Sequence, residues 1–170
     1  EKEPDFIPEN LVSTAEEAAE AMGIGSKYEG VYGVKFPHNY CKPVANLPHD
    51  REALLQAAVS GSPKFFLGTD SAPHPKSDKE SDNPPAGIFS APVALPLLQQ
   101  IFEERGTPET LVELVSVRGR EFYDLNLPEG GDCERLTLIE NSWGVPENYS
   151  RGGIIGVPFL SGKSLNWQVK

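Results

Sequence analysis

Cysteine is scarce in this chain of 170 residues, and long apolar runs are absent. The two cysteines, Cys41 and Cys133, form no C-x-x-C pair and are too few for a disulfide framework, which fits a reducing compartment. No apolar stretch approaches the ~20 residues that span a bilayer, and the acidic opening EKEPDFIPEN has neither the basic nor the apolar region of a signal peptide. We therefore expect a cytoplasmic protein with no membrane partner.

Basic residues are also in the minority. Lys and Arg total 15 against 25 Asp and Glu, which gives a formal net charge of −10. Nucleic-acid backbones are bound by clustered Lys and Arg, so this balance argues against a nucleic-acid partner and favours solubility. The hydrophobic content of 38% and charged content of 24% are typical of a globular protein of one ordinary domain.

The first half of the chain predicts two helices. Ser13 and Glu16 have the spacing of a capping box and predict a helix that extends to about Met22. An irregular strand is expected near residues 38 to 42. Asp50 is a candidate N-cap for the segment REALLQAAVSG, which ends at Gly61. The apolar face predicted for this helix consists of Ala53, Leu54, Ala57 and Ala58.

The apolar run after this helix predicts a buried strand over residues 64 to 69. A turn over 70 to 74 and an exposed, mobile loop over 75 to 85 follow it. Residues 91 to 105 read as a helix whose inner stripe contains Val93, Leu97 and Ile101, with Ala94 and Leu98 beside them.

Another helix is predicted to begin at Thr107 and Pro108, with a break at Gly119. Its inward-facing residues are expected to be Leu111, Leu114 and Val115. From residue 128 onwards the segments PEGGD, LTLIE, VPFLSG and SLNWQVK predict short strands joined by turns. The order of strands and helices indicates an α/β protein, either a doubly wound sheet or a piece of a (β/α)8 barrel. A complete barrel needs about 250 residues, so the second interpretation makes this chain a fragment.

Asp70 and His74 directly follow the predicted strand 64 to 69. In both α/β architectures ligands bind at the carboxyl ends of the strands. Asp70 could cap the turn, ligate a cation or move a proton during hydrolysis. His74 follows Pro73, whose restricted backbone would hold the imidazole in a position suited to an anionic group, or it is a surface residue of the turn.

Other nucleophile and ligand candidates are weaker. Ser71 lies in the same turn, but the members of a Ser-His-Asp triad form a linear hydrogen-bonded series and come from separated segments. We therefore do not expect a triad. His38 and His49 lack metal-ligand spacing, and we interpret both as structural or surface residues.

Several motifs in one order resemble the C-terminal part of the homodimeric class of dihydroorotase, in the amidohydrolase superfamily. They are FFLGTDSAPH at 65–74, KE at 79–80, AGIFSAP at 86–92, YCKP at 40–43 and VPFLSGKSLNWQVK at 157–170. The resemblance runs from about residue 38 to the C-terminus and is poor near 128 to 156. It implies the C-terminal portion of a (β/α)8 TIM barrel with a small β-rich tail. Residues 1–37 are then a poorly matched acidic lead or insertion, 38–127 the last βα units, and 128–170 the tail.

The resemblance implies roles for five residues. The family interconverts N-carbamoyl-L-aspartate and L-dihydroorotate in de novo pyrimidine (UMP) synthesis, with two zinc ions. Asp70 matches the aspartate that ligates the more buried zinc and shuttles the proton. His74 matches the histidine that helps to bind the substrate carboxylate. Ala86 and Gly87 match the loop whose backbone contacts the substrate, and Lys42 matches the position whose main-chain groups hydrogen-bond the pyrimidine ring.

The same resemblance implies that much of the active site lies elsewhere. The family's H-x-H pair, carboxylated lysine, further metal histidines, and substrate-binding arginine and asparagine all precede the matched region, and no H-x-H occurs in this sequence. One carboxylate cannot hold a binuclear zinc site. We expect this chain to be inactive alone and active with the N-terminal part of the barrel, supplied by the same polypeptide or a separate chain, as a homodimer. The alternatives are a non-catalytic binding or assembly fragment and an amidohydrolase for another cyclic amide.

Overall fold

The computed structural model describes residues 36–43, 48–125 and 135–170. The predicted helix from Ser13 to Met22, the segment PEGGD and Cys133 lie outside these ranges. Within them the chain is a mixture of short helices and strands. The helical segments are a 3₁₀ turn Pro37–Asn39, α1 Pro48–Val59, α2 Lys76–Lys79, α3 Ala94–Glu104, α4 Glu109–Val112, a π-helical turn Glu113–Val117 and α5 Arg118–Phe122. The strands are β1 Leu138–Gly144, β2 Tyr149–Arg151, β3 Ile154–Gly156 and β4 Ser164–Val169.

Helix α1 is confirmed, but its start and its buried face differ from the prediction. Asp50 lies in the first turn of the helix rather than at the N-cap. In the first turn its carboxylate still interacts favourably with the positive end of the helix dipole. Ala58 and Val59 at the C-terminal end pack against the core. Ala53 is exposed and Leu54 is 57% exposed, so the predicted apolar face is wrong at these positions. The helix meets the described core only near its end.

The segment from 64 to 69 is not a paired strand, and its first residue, Lys64, lies in a turn. A strand needs a neighbour, and the paired strands of the described ranges form only the β1–β4 and β2–β3 sheets. The Leu67 amide instead donates a hydrogen bond of 3.0 Å to the Leu114 carbonyl, and buried Arg118 donates one of 3.4 Å from Nη1 to the Phe65 carbonyl. Phe65 is 43% exposed, so the expected burial is also wrong there.

The irregular strand expected near 38 to 42 is wrong as well. Residues 37 to 39 form a 3₁₀ turn, in which the Tyr40 amide donates to the Pro37 carbonyl at 3.2 Å. Proline fixes φ near the helical value, which favours a turn at this position over a strand.

Helix α3 and the helical segments after it confirm the predicted inner faces. Val93, Leu111 and Leu114 are buried, and Leu97, Leu98, Ile101 and Val115 pack against the buried clusters. The helix does not break at Gly119, which lies inside α5. A Cβ at this position would stand 3.2 Å from Cδ2 of Phe66, so the glycine allows the ring to approach the helix closely.

The C-terminal strands pack against α3. β1 and β4 pair antiparallel, and Trp143 Nε1 donates a hydrogen bond of 2.6 Å to the Trp167 carbonyl across them. Trp167 Nε1 in turn donates to Glu103 Oε2 on α3 at 2.8 Å. Leu165 of β4 packs with Val93 and Val145 in one buried cluster, while Phe102, Leu111 and Leu114 form another.

The predicted strand VPFLSG is a turn. Leu160 has a positive φ of 60°, which interrupts an extended chain. The Phe159 amide donates a hydrogen bond of 2.8 Å to the Phe89 carbonyl, which brings residues 158 to 160 beside the segment 86 to 90. Among the described residues, no helix has the length and apolar character required to cross a membrane.

Candidate functional site

A cleft of about 440 Å³ lies where the segments 41–43, 69–72 and 86–90 meet, and Phe159 from a fourth segment also lines it. It contains four of the five residues that the resemblance singled out, Lys42, Asp70, Ala86 and Gly87. These residues are far apart in sequence, so their meeting is a property of the fold. The other residues that line the cleft are Cys41, Pro43, Thr69, Ala72, Ile88, Ser90 and Phe159.

Asp70 directly follows the segment 64 to 69 and begins the turn of residues 70 to 74. Its φ of 44° lies in the left-handed region, which is uncommon for a residue other than glycine and costs of order 1–3 kcal/mol. The turn is fixed on its far side, since Ser71 Oγ accepts a hydrogen bond of 2.9 Å from the Ala91 amide. Among the described residues, no hydrogen bond reaches the Asp70 carboxylate, so it does not cap this turn. Asp70 lines the cleft and is exposed.

His74 lies beside the cleft rather than in its lining. Its Nε2 is 3.1 Å from the Ala86 carbonyl oxygen. A carbonyl only accepts hydrogen bonds, so this contact requires the proton on Nε2. The same two segments are joined a second time by the hydrogen bond of 2.9 Å from the Ala72 amide to the Ile88 carbonyl. The turn that carries Asp70 is therefore tied to the loop that carries Ala86 and Gly87.

The third wall comes from residues 41 to 43. The Gly87 amide donates a hydrogen bond of 2.9 Å to the Tyr40 carbonyl, which joins this wall to the loop 85 to 88. The Cys41 thiol donates to the Pro43 carbonyl at 3.3 Å. Lys42 is exposed and lines the cleft.

Lys79 is a residue that sequence reasoning missed. It ends α2 in the loop that was expected to be exposed, yet only 2% of it is accessible to solvent. Its ammonium donates hydrogen bonds to three carbonyls, those of Pro85 and Gly87 at 2.8 Å and of Tyr40 at 3.2 Å. Burial lowers the pKa of Lys79 below its ordinary value. A buried lysine in a polar loop has no local sequence signal, since its partners come from other segments.

The remaining candidates take ordinary structural roles. Ser71 Oγ accepts a hydrogen bond of 2.9 Å from the Ala91 amide. His38 Nε2 lies 3.1 Å from Glu80 Oε1, and this hydrogen bond lowers the pKa of Glu80. His49 is exposed beside Asp50, at 3.4 Å.

The described part of the chain does not form a metal centre by itself. In the ranges that the structure covers, no three His, Cys, Asp or Glu side chains lie close enough together to hold an ion. Asp70 is the acidic residue of the cleft and could supply one ligand. Any further ligands would have to come from outside the described residues.

Comparisons with known proteins find dihydroorotases. The chain is 43% identical over 134 residues to dihydroorotase from Coxiella burnetii, which covers 79% of this chain and 37% of that protein. It is 46% identical over 134 residues to mitochondrial dihydroorotase from Arabidopsis thaliana, covering 78% of this chain and 34% of that one. No family model matches the chain.

Solved structures give the same result. The crystal structure of dihydroorotase from Saccharomyces cerevisiae in complex with 5-fluoroorotic acid superimposes with a TM-score of 0.75 at 40% identity, covering 80% of this chain and 38% of that one. Dihydroorotase from Campylobacter jejuni gives a TM-score of 0.69 at 40% identity, over 79% of this chain and 38% of that one. This chain therefore spans less than two fifths of the length of these relatives.

Proposed function

We propose that this chain, a relative of the C-terminal part of dihydroorotase, contributes one side of the active site of such an enzyme. The complete enzyme would reversibly cyclise N-carbamoyl-L-aspartate to L-dihydroorotate in de novo pyrimidine synthesis. The observation that supports this proposal most directly is that Asp70, Lys42, Ala86 and Gly87 line one cleft. His74 forms a hydrogen bond with the Ala86 carbonyl beside it. Similarity to dihydroorotases at 41–46% identity supports the same assignment.

The fold and its divisions are part of this proposal. Residues 38–127 would be the last βα units of a (β/α)8 barrel, with Asp70 at the end of a barrel strand, and residues 128–170 would be a β-rich tail. The position of Asp70 directly after the apolar residues 65 to 67 supports this arrangement, because such a run could form a buried barrel strand beside strands that the described residues do not supply. Residues 1–37 would be a lead or insertion outside the barrel.

Asp70 would act as the proton carrier. A carboxylate at a fixed turn can take a proton from the attacking water and return it to the departing ring nitrogen, and such transfer contributes typically 10²–10⁴-fold. The Ala91–Ser71 hydrogen bond restrains the backbone beside Asp70, and a restrained backbone would keep the transfer distance short.

The other residues would bind the substrate. The absence of a Cβ at Gly87 lets the His74 ring and the Ala72 carbonyl pack against this loop, which would hold the backbone of residues 86 and 87 in position for the substrate. Lys42 would offer its main-chain groups from the opposite wall. His74 would meet the substrate carboxylate with the ring nitrogen that is not bonded to Ala86, and it can donate there when the imidazole is protonated. The yeast relative was solved with 5-fluoroorotic acid, a pyrimidine carboxylic acid, which supports a ligand of this shape.

Zinc is the proposed cofactor, as a binuclear site in the complete enzyme. The described residues alone do not fit such a site, because Asp70 is a single ligand and no cluster of three ligands surrounds it in the described ranges. When bound, zinc would supply Lewis-acid polarisation of the amide carbonyl and an activated water. The remaining ligands would come from the N-terminal part of the barrel, in the same polypeptide or a partner chain.

The exposed apolar surface agrees with a missing neighbour. Phe122, Tyr123 and Leu125 are 70%, 63% and 57% exposed, and the Phe66 ring lies 5.1 Å from that of Phe122. Apolar groups exposed together mark an interaction surface. We propose that the rest of the barrel covers this face, that the complete enzyme is a homodimer, and that it is cytoplasmic, as its cysteine usage indicates.

The test is an assay of the chain in its complete assembly, as isolated from its source. Turnover of L-dihydroorotate with no comparable turnover of hydantoin, together with about two zinc ions per active site, is the expected result. Turnover of hydantoin alone would assign another cyclic amide. An assembly that holds no zinc and turns over neither compound would instead indicate a binding or assembly module.

A further inference from the structure

We infer that Lys79 is a positioning residue, which fixes the two substrate-facing loops of the cleft through its buried ammonium group. The loops are residues 40–43 and 85–88, and neither contains Lys79. This role rests on the proposed function, because the position of the two loops affects substrate affinity only if the cleft binds the substrate.

The geometry of the ammonium group carries the inference. An ammonium has three N–H donors, and the three carbonyl oxygens of Tyr40, Pro85 and Gly87 lie 3.2, 2.8 and 2.8 Å from Nζ. Lys79 is 2% exposed, so water cannot replace these partners easily. Its Nζ also lies 5.7 Å from the centroid of the Tyr40 ring.

The charge makes this arrangement costly to disturb. A buried cation needs compensation, and among the described residues Lys79 forms no salt bridge with a carboxylate. The carbonyl dipoles supply that compensation. If the ammonium is removed, the carbonyls of Pro85 and Gly87 lose this donor, whereas the Tyr40 carbonyl keeps its hydrogen bond from the Gly87 amide.

The bonded carbonyls flank the proposed substrate contacts. Tyr40 lies two residues before Lys42, while Pro85 and Gly87 enclose Ala86. The Gly87 amide is itself bonded to the Tyr40 carbonyl at 2.9 Å, so the ammonium and this amide share one acceptor. The two loops are thus joined at the Tyr40 carbonyl, while the carbonyl of Ala86, between the two loop residues bonded to Lys79, is bonded to His74.

Asp70 is tied to this unit indirectly, through the Ala72–Ile88 and His74–Ala86 hydrogen bonds of the turn that follows it. Loss of the ammonium should therefore weaken substrate binding more than it slows the chemical step. A misplacement of about 1 Å in a substrate-positioning segment can cost about a hundredfold. We expect an increase of about tenfold to a hundredfold in KM for L-dihydroorotate, with kcat within about threefold.

The experiment compares Lys79→Met with Lys79→Gln and Lys79→Arg in the complete, zinc-loaded assembly. Methionine keeps the length of the side chain without charge or donors. Glutamine keeps two donors, and arginine keeps the charge but has a planar fork that does not match three carbonyls converging on a point. The control is Lys76→Met, on the same short helix, where the side chain is 46% exposed and faces Glu80 at 3.7 Å.

The expected order of KM is wild type, then Gln, then Arg and Met, with the Lys76 variant equal to wild type. Binding of 5-fluoroorotic acid, measured by calorimetry, should weaken in the same order. If the Met variant does not assemble, the comparison of the Gln variant with wild type tests the inference, because glutamine keeps two N–H donors without the charge.

Two results overturn the inference. Unchanged KM and ligand affinity in both the Met and the Gln variants would show that the ammonium does not set the loops. A fall in kcat alone would place Lys79 in the chemical step instead. If the wild-type assembly itself has no dihydroorotase activity, the proposed function and this role are both overturned. The assay of the wild-type assembly therefore separates failure of the proposed function from failure of the role of Lys79.

Discussion

His74 and Gly87 are in contact so close that no side chain fits between them. A Cβ built on Gly87 would stand 2.8 Å from both Cδ2 and Nε2 of the His74 ring, and 2.7 Å from the Ala72 carbonyl oxygen. The φ of Gly87 is 152°, a conformation that other residues rarely adopt. The imidazole therefore packs directly on the backbone of the loop that is proposed to meet the substrate.

The first prediction concerns this contact. Gly87→Ala should displace the ring or the loop and add backbone strain, at a cost of order 1–3 kcal/mol. For a protein of this size each kcal/mol lowers the unfolding midpoint by roughly 2–4 °C, which calorimetry can measure. Gly144→Ala is the control, because a Cβ there meets no atom within 4 Å. Equal midpoints for the two variants would contradict the contact.

The second prediction separates two possible roles of His74. If the imidazole meets a substrate carboxylate, His74→Ala should weaken binding of 5-fluoroorotic acid by about tenfold and leave binding of 5-fluorouracil, which lacks the carboxylate, nearly unchanged. Titration calorimetry on the complete assembly makes the comparison, with the exposed His49→Ala as control. Equal losses for both ligands would mean that His74 only supports the Ala86 loop.

The third prediction concerns acid stability. Arg105 Nη1 and Nη2 donate to Glu52 Oε1 and Oε2, each at 2.7 Å, which joins the end of α3 to α1. The hydrogen bonds from Arg105 and Gln56 lower the pKa of Glu52 from 4.5 to about 2. A lowered carboxyl pKa contributes stability that is present above the unfolded pKa and is lost as pH falls through the folded pKa.

The stability difference between wild type and Glu52→Gln should therefore be constant above about pH 5 and shrink between pH 4.5 and about 2. Unfolding midpoints across this pH range measure it, and added salt should reduce it because the pair is partly exposed. Glu113→Gln, on the exposed side of the π-helical turn, is the control. A difference that grows on acidification would contradict the assignment.

Local patterns predicted those parts of the fold that depend on neighbours in sequence. The periodic stripe of Val93, Leu97 and Ile101 predicted α3, and the face of Leu111 and Leu114 was placed correctly. The prediction of a strand over 64 to 69 is wrong for the described residues, because strand pairing depends on a second segment and these residues do not provide one. The sequence predicts a helix break at Gly119. The structure shows instead that a glycine is needed there because the Phe66 ring, more than fifty residues away in sequence, packs against the helix.

The candidate site divides in the same way. Motif resemblance selected Asp70, Lys42, Ala86 and Gly87, and the structure brings them into one cleft; their chemical roles stay predictions. Lys79 could not be selected for its environment, because a lysine followed by glutamate in a polar loop is typical of an exposed surface. Its burial arises from the Tyr40 carbonyl, 39 residues earlier, and from two carbonyls of a loop that follows.

The proton-carrying role of Asp70 is most directly tested by the kcat of Asp70→Asn for L-dihydroorotate, measured in the complete assembly beside Asp78→Asn, an exposed aspartate of α2. Asparagine keeps the size of the side chain but cannot take up a proton. The account predicts that kcat falls by about 10²–10⁴-fold in the Asp70 variant and is unchanged in the Asp78 variant. Full activity in Asp70→Asn would contradict it.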